Sequence, residues 1–116
     1  MNVSFEGAHE TIVTMTTASA SINPQNPVKL NGDGNVTNAA LNDVAIGIAL
    51  QKPAGGIVPV QIGGYIRVRY SGTAPGVGFQ SLVADGMGSM ASAATGGRTY
   101  LVLDVDTANK WIGIMI

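Results

Sequence analysis

The side chains of this chain that could do chemistry are few and scattered. The one histidine, His9, stands beside Glu10. Such a pair moves a proton only if the two groups face each other, and neighbours on an extended chain point to opposite sides. A metal site at His9 would need further ligands. Asp33, Asp43, Asp85, Asp104 and Asp106 invite a calcium reading. The stretch Asn31-Gly32-Asp33-Gly34-Asn35, however, lacks the distal bidentate Glu and the ligand spacing of a calcium loop. Turn formation is the role these aspartates are expected to play, with Asp33-Gly34 and Asp85-Gly86 as structural turns. Gly72 to Gly78 contains no Lys followed by Ser or Thr, and it does not open a helix after a strand, so neither phosphate-loop pattern is met. Gly86-Met87-Gly88-Ser89-Met90 only superficially suggests a nucleophile elbow, and the single histidine lies far upstream. The reading is a protein that is not an enzyme, with no catalytic residue, cofactor or metal.

The best candidate contact patch is Tyr65-Ile66-Arg67-Val68-Arg69-Tyr70. Its alternation is that of a strand, with Ile66 and Val68 facing one side and Tyr65, Arg67 and Arg69 the other. Two guanidinium groups and an aromatic ring on one face make either a contact patch or a solvated outer face. They are too few for a nucleic-acid groove.

The elements that must position such a patch are all β. Charged residues are 11% of the chain, against roughly 25% in ordinary domains. Apolar residues reach 46%, and the net charge is −1. So uncharged a surface is expected to be covered by other subunits or by a larger assembly. No basic cluster offers a footprint for nucleic acid. The absence of cysteine removes disulfides and thiolate chemistry. Residues 1–20 show no secretory pattern and no apolar run reaches the length of a membrane span, which predicts a soluble protein made in the cytoplasm, with no membrane partner.

A pattern occurs twice. Pro27 to Val36 contains Asp33-Gly34 and leads through Ala39-Ala40 to the apolar run Val44 to Leu50. Gln80 to Gly88 contains Asp85-Gly86 and leads through Ala93-Ala94 to Tyr100 to Val105. The Asp-Gly pairs lie 52 positions apart (85 − 33) and the apolar runs 55 apart (100 − 45). Asp-Gly between apolar residues predicts hairpins with type I′ turns, positive in φ at both central residues. Strands are expected at Glu10–Thr17, Val28–Leu30, Val36–Thr37, Val44–Gln51, Ile57–Tyr70 (broken at Gly63-Gly64), Phe79–Val83, Thr99–Val105 and Lys110–Ile116. A single helical turn is expected at Thr37–Asp43 and a loop at Ser89–Gly97. Seven to eight short strands with little helix predict one all-β domain over residues 10–116, a small barrel or sandwich. Residues 1–9, aperiodic and carrying an isolated Phe5, read as an N-terminal arm.

The stretch Asn26-Pro27-Val28-Lys29-Leu30-Asn31-Gly32-Asp33-Gly34-Asn35-Val36, the run Val44-Ala45-Ile46-Gly47-Ile48-Ala49-Leu50, and Ile57 to Val68 together resemble the phage capsid decoration, or cement, proteins. The resemblance covers residues 24–70 and extends loosely beyond. It implies a β-tulip-like structural virion protein, made in the host cytoplasm and seated outside the mature head. There it would bridge and stabilise subunits of the major capsid protein, often as a homotrimer, using an extended arm. It implies capsid contacts at Phe5 and His9 in the arm, with Tyr65, Arg67 and Arg69 as a second surface. A fibre, spike or carbohydrate-binding β module is the alternative, favoured if Trp111, Tyr65 and Tyr70 converge in an exposed groove. A biotinyl- or lipoyl-type carrier would need a modifiable lysine at a hairpin tip, and Lys29, Lys52 and Lys110 do not sit in such a motif.

Overall fold

The computed structural model describes residues 10–116, so the expectations for Phe5, His9 and the arm lie outside the described residues. Ten strands and no helix form among these residues. In chain order they are β1 (Thr11–Thr16), β2 (Pro27–Leu30), β3 (Val36–Asn38), β4 (Gly47–Ala49), β5 (Ile57–Gly63), β6 (Tyr65–Arg69), β7 (Gly78–Ala84), β8 (Met90–Ser92), β9 (Arg98–Asp106) and β10 (Trp111–Met115). They make two five-stranded sheets, ordered β1-β5-β4-β2-β3 and β6-β10-β9-β7-β8, with every pairing between these strands antiparallel. Neither sheet closes into a barrel through pairings of the described residues.

The second order is the first with five added to every strand number, so one topology is used twice. The hairpins β2–β3 and β7–β8 even share their register: Val28 opposes Asn38 as Leu82 opposes Ser92, a displacement of 54 in both strands (82 − 28, 92 − 38). In these hairpins the repeat therefore runs at 54, not at the 52 or 55 that the motifs suggested. Core residues follow it. Val28, Val36, Val58 and Val60 are buried in the first half, and Leu82, Met90, Ile112 and Ile114 at the equivalent positions in the second.

Each sheet packs its own core. Ile22, Val28, Val36, Ala49, Val58 and Val60 form one; Ile66, Val68, Tyr70, Leu82, Met90, Tyr100, Val102, Ile112 and Ile114 form the other, joined by Ile48 from β4. Ile48 and the Tyr100 hydroxyl, which donates to the Ala45 carbonyl, tie the halves together. A second tie is backbone pairing. Asn42 N–H donates to the Ala84 carbonyl, and Ala84 N–H to the Asp43 carbonyl, so a loop of the first half caps the end of β7.

Four expectations need correction. Val44–Gln51 is strand only at β4. Before it, exposed Val44, buried Ala45 and half-buried Ile46 form a connection held by the Ile46 N–H bond to the Val28 carbonyl, and an apolar run alone does not distinguish strand from packed loop. Ile57–Tyr70 is not one bent strand but two, in different sheets, with the chain crossing at Gly64, whose φ is 87°. The Gln61 side chain braces that crossing by donating to the carbonyls of Gly63 and Tyr65. The helical turn at Thr37–Asp43 is absent: the Asp43 carboxylate accepts from Ala40 N–H and closes a turn instead. The loop at Ser89–Gly97 contains β8, which its hairpin register imposes despite a poor strand composition.

The Asp-Gly hairpins form, but not with type I′ turns. Asp33 and Asp85 do not have positive φ, whereas Gly34 and Gly86 do, at 81° and 79°. The organising side chains are Asn31 and Asp85. Asn31 Oδ1 accepts from the N–H groups of Asp33 and Asn35, and Asp85 Oδ1 from those of Met87 and Ser89. These residues stand 54 apart (85 − 31), in step with the strands, which makes Asn31 the true counterpart of Asp85. A side chain bonding backbone two and four residues on replaces the φ geometry that a two-residue turn would need.

Candidate functional site

The outer face of the second sheet brings aromatic, aliphatic, acidic and basic side chains together. Cross-strand register sorts it into three rows. The first runs Phe79, Leu101, Met115, Tyr65; the second Asp104, Gly113, Arg67; the third Asp106, Trp111, Arg69. Residues paired across an antiparallel ladder share a face, so each row is contiguous. The face thus grades from apolar to charged along the strands. Phe79 is 76% exposed, and Leu101 and Met115 are half-buried.

Arg67 and Arg69 are exposed on this face, with Ile66 and Val68 turned into the core. Tyr65 shares their side of the strand but is only 5% exposed. Its hydroxyl donates to Asp104, 3.0 Å from Oδ1 and 3.2 Å from Oδ2, across the strand that carries Gly113. A Cβ at Gly113 would collide with both the Tyr65 hydroxyl and Asp104 Oδ1. Glycine is therefore what lets this bridge pass between β6 and β9. Burial, followed by the neighbouring Asp104 carboxylate, pushes the Tyr65 hydroxyl above its ordinary pKa despite the opposing pull of Arg67. Tyr65 fixes Asp104 and is not an exposed contact in its own right.

Beyond the bridge lies a cleft of about 560 Å3, lined by Gln25, Arg67, Asp104, Asp106, Asn109 and Trp111 among others. Gln25 belongs to the first half, in the loop before β2, and has a φ of 70°. Arg69 lies over the Trp111 ring, 5.5 Å from its centroid. Asp106 organises the turn to β10: Oδ1 accepts from the N–H groups of Ala108 and Asn109, and Oδ2 from the Asn109 side-chain amide at 3.0 Å. Those hydrogen bonds, the Asn109 side chain first and Arg67 nearby last, hold the Asp106 carboxyl below the ordinary aspartate range. A second concavity of about 400 Å3, lined by Glu10, Pro24, Gln25, Leu50, Gln61, Tyr65, Ile66 and Arg67, adjoins it through Gln25 and Arg67.

Trp111, Tyr65 and Tyr70 do not converge. Tyr70 is buried in the second core, with the Lys110 ammonium 5.9 Å from its ring centroid. The residues that sequence reasoning missed are Asp104, Asp106, Asn109 and Gly113, which read as turn or strand filler. The available signal was the phase of β9 and β10 relative to β6, which needs the register to interpret. Among the described residues no cluster of three or more metal-ligating side chains occurs, and no helix is long and apolar enough to cross a membrane. Comparison with protein-family models and with curated protein sequences finds no match to this chain.

Proposed function

We propose that this chain is a structural virion protein that seats on the outer surface of a phage head, bridges major capsid protein subunits and stabilises the mature shell. The single observation carrying the reading is the apolar row of the second sheet: Phe79, largely exposed, continues through Leu101 and Met115 on a rigid sheet face. Exposed aromatic and aliphatic groups on a fixed scaffold are what a protein-docking surface requires. The low charge of the chain supports the same reading, because a surface covered in an assembly needs little charge for solubility. The proposal includes a tulip-like disposition of the two sheets, a homotrimer as the seated form, and residues 1–9 as an attachment arm with Phe5 and His9 in contact with the shell.

The test is co-sedimentation with decoration-free expanded heads, alongside analytical ultracentrifugation of the free protein. Binding is expected for the full chain, with sharp weakening on deleting residues 1–9 and partial weakening for Phe5→Ala and Phe79→Ala. Thermal unfolding of the shortened chain is expected to match the full chain. A strictly monomeric mass together with no head binding overturns the reading.

A further inference from the structure

The cleft on the second sheet has a chemistry different from that of the apolar row. Its lining mixes both hydrogen-bonding polarities around an aromatic ring. Asp104 and Asp106 carry carboxylates, Arg67 carries a five-donor guanidinium, and Asn109 offers a side-chain amide. Trp111 supplies the ring, with Arg69 over one of its faces. An anionic ligand would meet two carboxylates at close quarters, and a cationic one would meet Arg67. A ligand whose every polar group both donates and accepts meets neither penalty. Hydroxyls on a ring with an aliphatic C–H face are such groups, and that face suits an indole.

We infer that the cleft bounded by Arg67, Asp104, Asp106, Asn109 and Trp111 binds a neutral saccharide of one or two pyranose units. The volume of about 560 Å3 lies in the range of small-molecule pockets. The polar groups are set in advance. The Tyr65 hydroxyl holds Asp104 across Gly113, and the Asp106 carboxylate holds the Asn109 amide by its nitrogen, which directs the Asn109 carbonyl oxygen to act as an acceptor. Preset groups on sheet and tight turn spend little entropy on binding. Gln25, contributed by the first half, makes the cleft a property of both repeats together. The first half has no equivalent: by cross-strand pairing, the positions matching Trp111, Arg67 and Asp106 are Ile57, Thr14 and Ala54. One site per chain follows. The inference stands apart from attachment to a head, which uses the apolar row.

Trp111 is the only tryptophan, so its fluorescence reports on the cleft alone. The full chain is titrated with glucose, galactose, mannose, N-acetylglucosamine and their disaccharides, followed by fluorescence and by amide chemical shifts. At least one neutral sugar is expected to give a saturable change, with shifts concentrated at residues 104–113 and Arg67. Asn109→Ala and Arg67→Gln are each expected to weaken it about tenfold or more. Phe79→Ala, outside the cleft, is expected to leave it unchanged. Thermal unfolding of each variant, read beside its titration, separates lost folding from lost binding. Absence of any saturable response at millimolar sugar overturns the inference, as does tighter binding of sialic acid than of every neutral sugar. So does a response that survives both Asn109→Ala and Arg67→Gln.

Discussion

At the scale of single residues, the turn chemistry separates look-alikes. Asp33 and Asp85 sit in matching Asp-Gly pairs, yet only Asp85 holds its loop, with a further bond from the Ser71 hydroxyl at 2.8 Å. Asp85→Ala and Asn31→Ala are each expected to lower stability by about 1 kcal/mol, whereas Asp33→Ala is expected to be nearly silent in chemical denaturation. Gly34 and Gly86 share a positive φ, but a Cβ at Gly34 meets open space and one at Gly86 stands 2.9 Å from Leu41 N. Alanine at Gly34 is thus expected to cost about 1 kcal/mol and alanine at Gly86 measurably more. Gly113→Ala is expected to cost about 2 kcal/mol or more, because the Tyr65–Asp104 bridge must break or move aside. Tyr65→Phe, which removes only the hydroxyl, is expected to cost about 1 kcal/mol. The sequence showed that Asp-Gly marks turns. It did not show which aspartate organises one, since that depends on loop length and on which backbone N–H groups point inward.

Elements were legible where composition and tertiary context agree. β1, β9 and β10 carry β-branched or alternating residues and lie close to their expected spans. β8 was illegible because Met90-Ala91-Ser92 becomes a strand only by pairing with β7. The loop that caps β7 carries a pH response. The Lys29 ammonium lies 2.6 Å from Asp43 Oδ2, and that bond, followed by the Ala40 N–H, holds the Asp43 carboxyl below the ordinary aspartate range. A depressed folded pKa stabilises the fold above the unfolded pKa, and the contribution disappears as pH falls through the folded value. Stability is therefore expected to decline below about pH 4, with Asp106 contributing in the same direction. In urea denaturation between about pH 6 and about pH 3, Asp43→Asn is expected to be less stable at the upper end and to show a shallower decline.

For the molecule as a whole, two related β units were legible in the repeated motif, whereas their true spacing and the separation into two open sheets were not. Motif counting fixed on Asp-Gly pairs whose equivalence is false. Nothing in composition distinguishes a curled barrel from sheets that each keep their own strands. The candidate site was half visible: Arg67 and Arg69 could be placed on an outer face by alternation, while Asp104 and Asn109 reach it only through the bulged pairing of β9 with β10. The dependence of the cleft on Gln25 gives a check at this scale. Gln25→Ala is expected to leave unfolding nearly unchanged and to weaken sugar binding modestly by the fluorescence titration.

The strand order of each half also sets a timetable. In both sheets the last strand to be synthesised is the one that joins the first to the rest: β5 lies between β1 and β4, and β10 between β6 and β9. Until that strand arrives, β1 or β6 has no neighbour in its sheet, and the half consists of three paired strands, the earliest of them in the middle, with one loose end. Because no strand of one sheet pairs with a strand of the other, the first sheet can complete its ladder as soon as residue 63 is free of the ribosome, with the second half still unmade. Stalled nascent chains are expected to gain protease resistance in two steps, the first when β5 emerges and the second when β10 does. A single step at full length would mean that Ile48 and Tyr100, which cross between the halves, govern assembly more strongly than the ladders do.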